Sequence, residues 1–252
     1  MEPKLKVYAT GHVHSDIICA AFAEGCKGQL VPPLKLLNGP AAMYGILRGT
    51  AEIVKACEWL ARDYYYMDHG YINAGHYDGY YRITLNGRQC SPDPRSKRPD
   101  DRWRKLGRPL RPWKRSGRSI LVVPLTGAVA EFYRIDPARW LETVVTEIAS
   151  WTARPVVVKR KEEGELDEYL KDTWCVVTHS SNLATDALLA GVPVIALGES
   201  AARTCSWHWR NIEQPEWIER EWWMHEIAYN QFTLPEMRDG GAWKLLQRSA
   251  GN

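Results

Sequence analysis

Between Ser119 and Leu197 short apolar strands alternate with helices across short loops, and this alternation constrains the fold more than any other feature. The pattern predicts strands over Ser119–Val123, Pro155–Val158, Trp174–Thr178 and Pro193–Leu197. Between them it predicts helices over Pro137–Ser150, Glu165–Lys171 and Asn182–Ala190, the last stopped by Gly191. A turn, Pro124-Leu125-Thr126-Gly127, follows the first strand. Strands joined this way form βαβ units and a parallel, Rossmann-like sheet.

The first half follows the same logic with less regularity. Leu5–Thr10 predicts a strand and Ser15–Glu24 a helix, with Ser15 as its cap and Gly25 as its stop. Residues 28–48 read as loop. Thr50–Asp63 carries Ile53, Val54, Cys57, Leu60 and Ala61 on one helical face. Strands are expected at Tyr64–Met67 and Gly79–Leu85, and terminal helices at Glu219–Gln231 and Pro235–Leu246. The expected fold class is therefore α/β, with two small Rossmann-like domains. The domain expectations are an N-terminal domain over 1–94, a basic arm over 95–118, a C-terminal domain over 119–218 and terminal helices over 219–252.

No apolar run approaches the ~20 residues that span a bilayer, and the start, MEPKLKVYATGHVHSD, has no apolar signal region. The six cysteines form no C-x-x-C pair, so buried thiols in a reducing cytoplasm are expected. Twelve Trp and twelve Tyr stand against three Phe, a set suited to stacking on sugars or bases and equally to interfaces.

Charge is concentrated. Residues 95–118 carry eleven basic side chains and two acids, a local excess of +9 in a chain of net +3, which leaves −6 elsewhere. With prolines at 99, 109 and 112, this stretch reads as an extended arm. It is either a solvated linker or a polyanion-binding element, with Arg102, Arg104, Lys105, Arg108, Arg111, Lys114 and Arg115 on phosphates and Trp103 and Trp113 stacking.

The segment Val176–Ile195 runs from an apolar strand into Thr178-His179-Ser180-Ser181-Asn182, then a helix, Gly191 and another buried strand. The carboxyl end of a parallel strand is where open α/β sheets bind ligands. Free N–H groups and the small hydroxyls of Ser180 and Ser181 suit a phosphate there. Helix capping alone accounts for one hydroxyl residue of that run.

This strand–THSSN–helix–GVPVI arrangement resembles the donor-binding part of GT-B glycosyltransferases, closest to bacterial capsule and sialyltransferase-like members, over residues 119–200. The resemblance implies a nucleotide-sugar donor held by Thr126, Gly127, Lys159, Arg160, His179, Ser180, Ser181 and Asn182. It also implies that the two domains face a cleft, 1–94 on the acceptor side and 119–218 binding the nucleotide-sugar, with the helices of 219–252 packing back on the first. It implies no cofactor beyond that co-substrate and no metal. The His-Pro element of sialyltransferase-like members is missing, since Ser follows His179. The tail REWWMHEIAYNQFTLPEMRDGGAW resembles bacteriophage proteins. With the basic arm, it points to DNA carrying a hydroxymethylated base as acceptor, and otherwise to an acidic polysaccharide or small metabolite.

Glycosyl transfer needs a base for the acceptor hydroxyl. The candidates lie in Gly11–Asp16 and Asp68-His69-Gly70, namely His14, Asp16, Asp68 and His69, with the acceptor against residues 11–16 and 68–82. A rival reading places His12 and His14 on one face of a strand as ligands of a metal-dependent phosphoesterase. A third is a non-enzymatic nucleic-acid-binding adaptor.

Overall fold

The computed structural model describes residues 4–214 and 216–250; the ends of the first and last expected domains lie outside the described residues. The chain divides into two compact units, residues 1–90 with 227–252, and residues 91–226.

In the first unit β1 (Lys6–Tyr8), α1 (Val13–Cys26), β2 (Gln29–Val31), β3 (Ala41–Tyr44), α2 (Thr50–Trp59), β4 (Tyr64–His69) and β5 (Tyr80–Leu85) follow in order. The second unit holds α3 (Asp101–Leu106), β6 (Ser119–Val123), α4 (Gly127–Tyr133), α5 (Pro137–Trp151), β7 (Val156–Val158), α6 (Leu166–Leu170), β8 (Thr173–Thr178), α7 (Leu183–Leu189) and β9 (Val194–Ala196). Helix α8 (Glu221–Tyr229) spans the boundary, and β10 (Gln231–Thr233), α9 (Leu234–Arg238) and α10 (Gly241–Ala250) complete the first unit.

The second unit contains the parallel sheet that the alternation predicts, in the order β7-β6-β8-β9. Every residue of β6 and β8 is buried, as central strands covered on both faces require. Helix α5 begins at Pro137, its preceding Asp136 capping the N–H groups of Ala138 and Arg139, and buries Val144 and Ile148 against Ile120, Val122 and Val177. The outer strand β9 is shielded by the following chain, where Trp207 N–H donates to Val194 O.

The first unit's sheet is mixed, in the order β10-β5-β4-β3-β1-β2. Strands β2, β1, β3 and β4 are parallel, so this half is Rossmann-like on one side only; β5 and β10 extend it antiparallel. Helix α1 buries Ser15, Ile18, Cys19 and Phe22, the spacing of one helical face. Phe232, Leu234, Met237 and Leu246 join that core from the end of the chain.

Several expectations are corrected. Helix α1 starts at Val13, and Ser15 lies inside it, its hydroxyl shared with Thr10 Oγ1 and His12 O. Gly25 is helical, and Lys27 at φ 54° ends the helix. Glycine is needed at 25 because a Cβ would stand 1.9 Å from Met237 O. Residues 28–48 contain β2 and β3 as well as loop. Asp68 and His69 lie within β4, paired with Arg82 and Tyr81 of β5, and do not follow it. The helix expected to Gln231 ends at Tyr229 because Gln231 opens β10, and the last helix is broken at Gly240, φ 82°. Helix α4 was not expected.

The stretch 95–118 is not an extended arm. It contains α3, whose Arg102 and Leu106 are buried, and a strap along the second unit. In the strap Arg111 N–H donates to Leu189 O and Lys114 N–H to Gly191 O. No helix is long and apolar enough to cross a membrane, among the described residues.

Candidate functional site

In the parallel sheet of the second unit and in the parallel part of the first unit's sheet, the third strand lies on the far side of the first strand from the second. That makes a switch point between β6 and β8 in the second unit and between β1 and β3 in the first, and ligands of open α/β sheets bind outside the carboxyl ends there.

In the second unit the edge brings Thr126 and Gly127, after β6, together with His179, Ser180, Ser181 and Asn182, after β8. Thr178 ties the two strands, its hydroxyl donating to Val123 O at 3.0 Å. No protein atom stands within 4 Å of where a Cβ on Gly127 would be, so the crevice is open beside it. The His179 ring is 8% exposed, edge-on to Tyr133 at 4.6 Å, with Nδ1 3.2 Å from Ser180 Oγ. Tyr133 donates to Glu199 Oε2 at 3.4 Å. Gly198 backs the imidazole so closely that a Cβ would lie 2.3 Å from His179 Cε1. Ser181 Oγ accepts Leu183 N–H at 3.2 Å, so one hydroxyl of the run does serve as a cap. Helix α7 is only seven residues long, so the hydroxyls and turn N–H groups matter here more than its dipole.

Lys159 and Arg160 have their partners elsewhere. Lys159 is buried, its ammonium 3.2 Å from Arg160 O and over the Tyr169 ring, and Arg160 pairs with Glu163. A separate cavity of about 410 Å³ opens at the opposite, amino-terminal strand edge, among Ser119, Pro155, Tyr169 and Thr173.

In the first unit the carboxyl edge carries a stack of histidines. His14, in the first turn of α1, lies face to face with His76 at 4.4 Å and 7°, and stacks on His69 at 5.7 Å. Tyr44, Tyr77 and Tyr81 enclose it at 5.5, 5.4 and 6.0 Å, and its Nε2 is 3.3 Å from Tyr44 OH. His14 Nδ1 is buried without a partner. Burial, then the neighbouring His76, His69 and His12, lowers the His14 pKa, keeping the ring neutral and able to accept a proton near neutrality.

The two expected acids are engaged. Asp68 Oδ2 is 2.9 Å from the buried Arg82 guanidinium and takes the Tyr66 hydroxyl at 2.9 Å, while Oδ1 takes His69 N–H at 2.8 Å. Asp16 Oδ1 accepts Thr10 N–H at 2.8 Å. His12 and His14 stand at the start of a helix, where residues two apart diverge, so the strand geometry that would aim both at one metal is absent. Among the described residues no group of three His, Cys, Asp or Glu is placed to hold a metal ion, and no disulfide forms.

Sequence reasoning missed Tyr44 and Tyr133, and covered His76 only as part of the stretch 68–82. His76 is brought to His14 by the β4–β5 loop, where Gly75 and Gly79 touch backbone to backbone and Tyr81 OH donates to His76 O. That close glycine pair, flanking His76, was the signal available.

Most cations of 95–118 are held by the protein. Arg95 pairs with Asp93, Arg98 with Glu226, Arg104 with Asp100, Arg108 with Asp186 and Arg118 with Asp172. Lys114 donates to the carbonyls of Leu170, Lys171 and Thr173, and Arg115 lies over Trp217. Arg102 is buried; Lys105 and Arg111 keep exposed side chains.

No family model matches the chain, and no curated protein matches it in sequence. Two solved structures from Thermosulfurimonas dismutans do match in fold. With the KpsC β-Kdo 2,4-transferase the TM-score is 0.51 at 10% identity, over 92% of each chain. With the KpsC β-Kdo 2,7-transferase it is 0.50 at 11% identity, over 98% of this chain and 100% of that one. The chain shares the fold of these two transferases.

Proposed function

We propose that the protein is a glycosyltransferase, moving a sugar from a nucleotide-sugar donor to a hydroxyl acceptor without a metal. The observation that carries this reading is the topological switch point of the second unit, with its run of polar residues after β8, on a fold shared with two transferases. Fold alone does not assign chemistry, so the roles rest on the residues. The donor phosphate sits against Thr126, Gly127 and the turn from His179 to Asn182. Glu199, steadied by Tyr133, is the carboxylate available to a ribose hydroxyl. Lys159 and Arg160 are left out, since their charges are satisfied within their own loop.

The candidate bases lie in the first unit. Of the four candidate bases, His14 fits best: Asp68 is held as an anion by Arg82, Asp16 is tied to Thr10, and His69 is the outer member of the stack. His14 takes the proton of the acceptor hydroxyl as that oxygen bonds to the anomeric carbon, and the bond to the donor phosphate breaks with its electron pair on the phosphate. A DNA acceptor loses its main support, because most cations of 95–118 are engaged.

The test is release of free nucleotide from UDP-, GDP-, CMP- and ADP-linked sugars, with and without EDTA. One donor class is expected to react regardless of EDTA. Ser180→Ala with Ser181→Ala is expected to abolish release, and His14→Ala to slow it by about 10²–10⁴. Release from no donor, with a metal-stimulated phosphatase activity lost in His12→Ala, would favour the phosphoesterase instead.

A further inference from the structure

The two ring nitrogens of His14 differ in what can reach them. Nδ1 is buried without a partner among the described residues, so no hydroxyl from outside meets it. Nε2 lies 3.3 Å from the Tyr44 hydroxyl oxygen. His76 stacks on the ring at 4.4 Å and His69 at 5.7 Å, which leaves the Nε2 edge as the way in. A proton that reaches His14 therefore enters at Nε2, and the atom standing there is the Tyr44 oxygen.

The sheet places Tyr44 for this. It is the last residue of β3, and His14 sits in the first turn of α1, which follows β1. Strands β1 and β3 are parallel neighbours, so the two side chains meet at the switch point of the first unit, where open α/β sheets receive ligands. Tyr44 is half-buried, its ring edge-on to His69 at 6.1 Å and to Tyr81 at 6.2 Å, which fixes where its hydroxyl points. Burial, and after it the Asp68 carboxylate, raises the Tyr44 pKa, so the phenol keeps its proton and serves as a donor. Burial lowers the His14 pKa, so its ring is neutral and accepts. The bond accordingly runs from the Tyr44 hydroxyl to His14 Nε2.

We propose that Tyr44 carries the proton of the acceptor hydroxyl to His14, and that the phenol, not the imidazole, touches that hydroxyl. The transfer step rests on the transferase reading above; the hydrogen bond between the two side chains does not. The acceptor O–H bond breaks as its proton bonds to the Tyr44 oxygen, and the Tyr44 O–H bond breaks as its proton bonds to His14 Nε2. The electron pair freed on the acceptor oxygen forms the bond to the anomeric carbon. The bond from that carbon to the donor phosphate breaks with its pair on the phosphate. Tyr44 ends as a phenol and His14 as an imidazolium, so no free phenolate forms.

The test has two arms, both on the full-length protein. The first is nitrogen NMR at pH 8, with His14 assigned from the signals lost in His14→Gln. The parent is expected to carry the His14 proton on Nδ1 and to leave Nε2 unprotonated, and Tyr44→Phe to shift the Nε2 signal. The second is nucleotide release from the nucleotide sugar that reacts. Tyr44→Phe keeps the ring and deletes only the hydroxyl. It is expected to slow release about as much as His14→Ala, by about 10²–10⁴. The double variant should be no slower than the slower single one, because both groups serve one route. A packing role predicts instead that Tyr44→Phe matches the parent. A proton on Nε2 in the parent, an Nε2 signal unmoved by Tyr44→Phe, parental release in that variant, or losses that multiply in the double variant overturns the proposal. The parent spectrum decides without any variant of Tyr44. Failure of every nucleotide sugar to react, with the spectra as described, overturns the transferase reading and leaves the Tyr44–His14 hydrogen bond standing.

Discussion

Asp68 has both carboxylate oxygens occupied, by Arg82, Tyr66 and the His69 amide, and the Arg82 side chain is almost fully buried. Arg82 also donates to the carbonyls of His69 and Arg88, so it anchors the floor beneath the histidine stack. Arg82→Leu is expected to cost about 3 kcal/mol in urea unfolding, because it leaves a partly buried carboxylate unpaired; a cost near zero contradicts this role. Asp68→Asn should keep most of the activity, where a catalytic base would lose it. In the second unit Gly198→Ala puts a methyl into the His179 ring. It is expected to cost about 1–3 kcal/mol and to weaken nucleotide binding, read as a lower Tm and a smaller ligand-induced rise. Asp68 and His69 were legible as candidates because they end an apolar run. Their engagement was not, because it depends on β5 returning antiparallel in the register Asp68↔Arg82.

The strap that follows α3 shows how an element changes the meaning of its composition. Gly191 at φ 80° lets the chain turn under Pro112, where a Cβ would lie 2.1 Å from Pro112 O. Arg220 is buried over Trp113 at 3.6 Å and donates to Arg111 O and Leu188 O, clamping strap to helix. Replacing Arg111, Lys114 and Arg115 together by Ala is therefore expected to lower Tm by several degrees, since three carbonyls lose the Lys114 ammonium at about 1 kcal/mol or more. Weaker DNA binding with unchanged Tm would restore the polyanion arm. Asp186, beside Arg108, has a pKa raised to about 6, by burial first and by Asp167 as well. A carboxyl raised above its ordinary 3.8 favours folding while protonated, and that contribution fades as pH rises through about 6. Asp186→Asn should thus raise Tm relative to the parent at pH 8 and not at pH 4. The gain is small because the side chain is 37% exposed. A Tm gain larger at pH 4 than at pH 8 contradicts the assignment. Charge was readable from sequence here, but its partners were not: distant carboxylates for Arg98, Arg108 and Arg118, and for Lys114 backbone carbonyls, which carry no sequence mark.

At the scale of the molecule the first unit is closed by the end of the chain, since α9 and α10 cover α1 and β10 pairs with β5. Removing residues 227–252 exposes Phe232's partners and forfeits several buried apolar side chains at about 1.5–3 kcal/mol each. Hydrogen exchange of the shortened chain should be fast across residues 4–90 and still protected across 119–197. Protection retained in 4–90 would show that the tail is dispensable. The βαβ alternation of 119–197 was legible because buried parallel strands read as apolar runs between periodic helices. Strands β2 and β3 were not, being three and four residues long among prolines and glycines. The central claim, a nucleotide-sugar site at the β6–β8 switch point, is tested most directly by thermal unfolding with a panel of nucleotides and their sugars. One nucleotide class, at about 100 times its Kd, should stabilise the parent by about 2.7 kcal/mol, with no rise in the Ser180→Ala/Ser181→Ala protein. No rise with any nucleotide, or an undiminished rise in that double variant, contradicts the account.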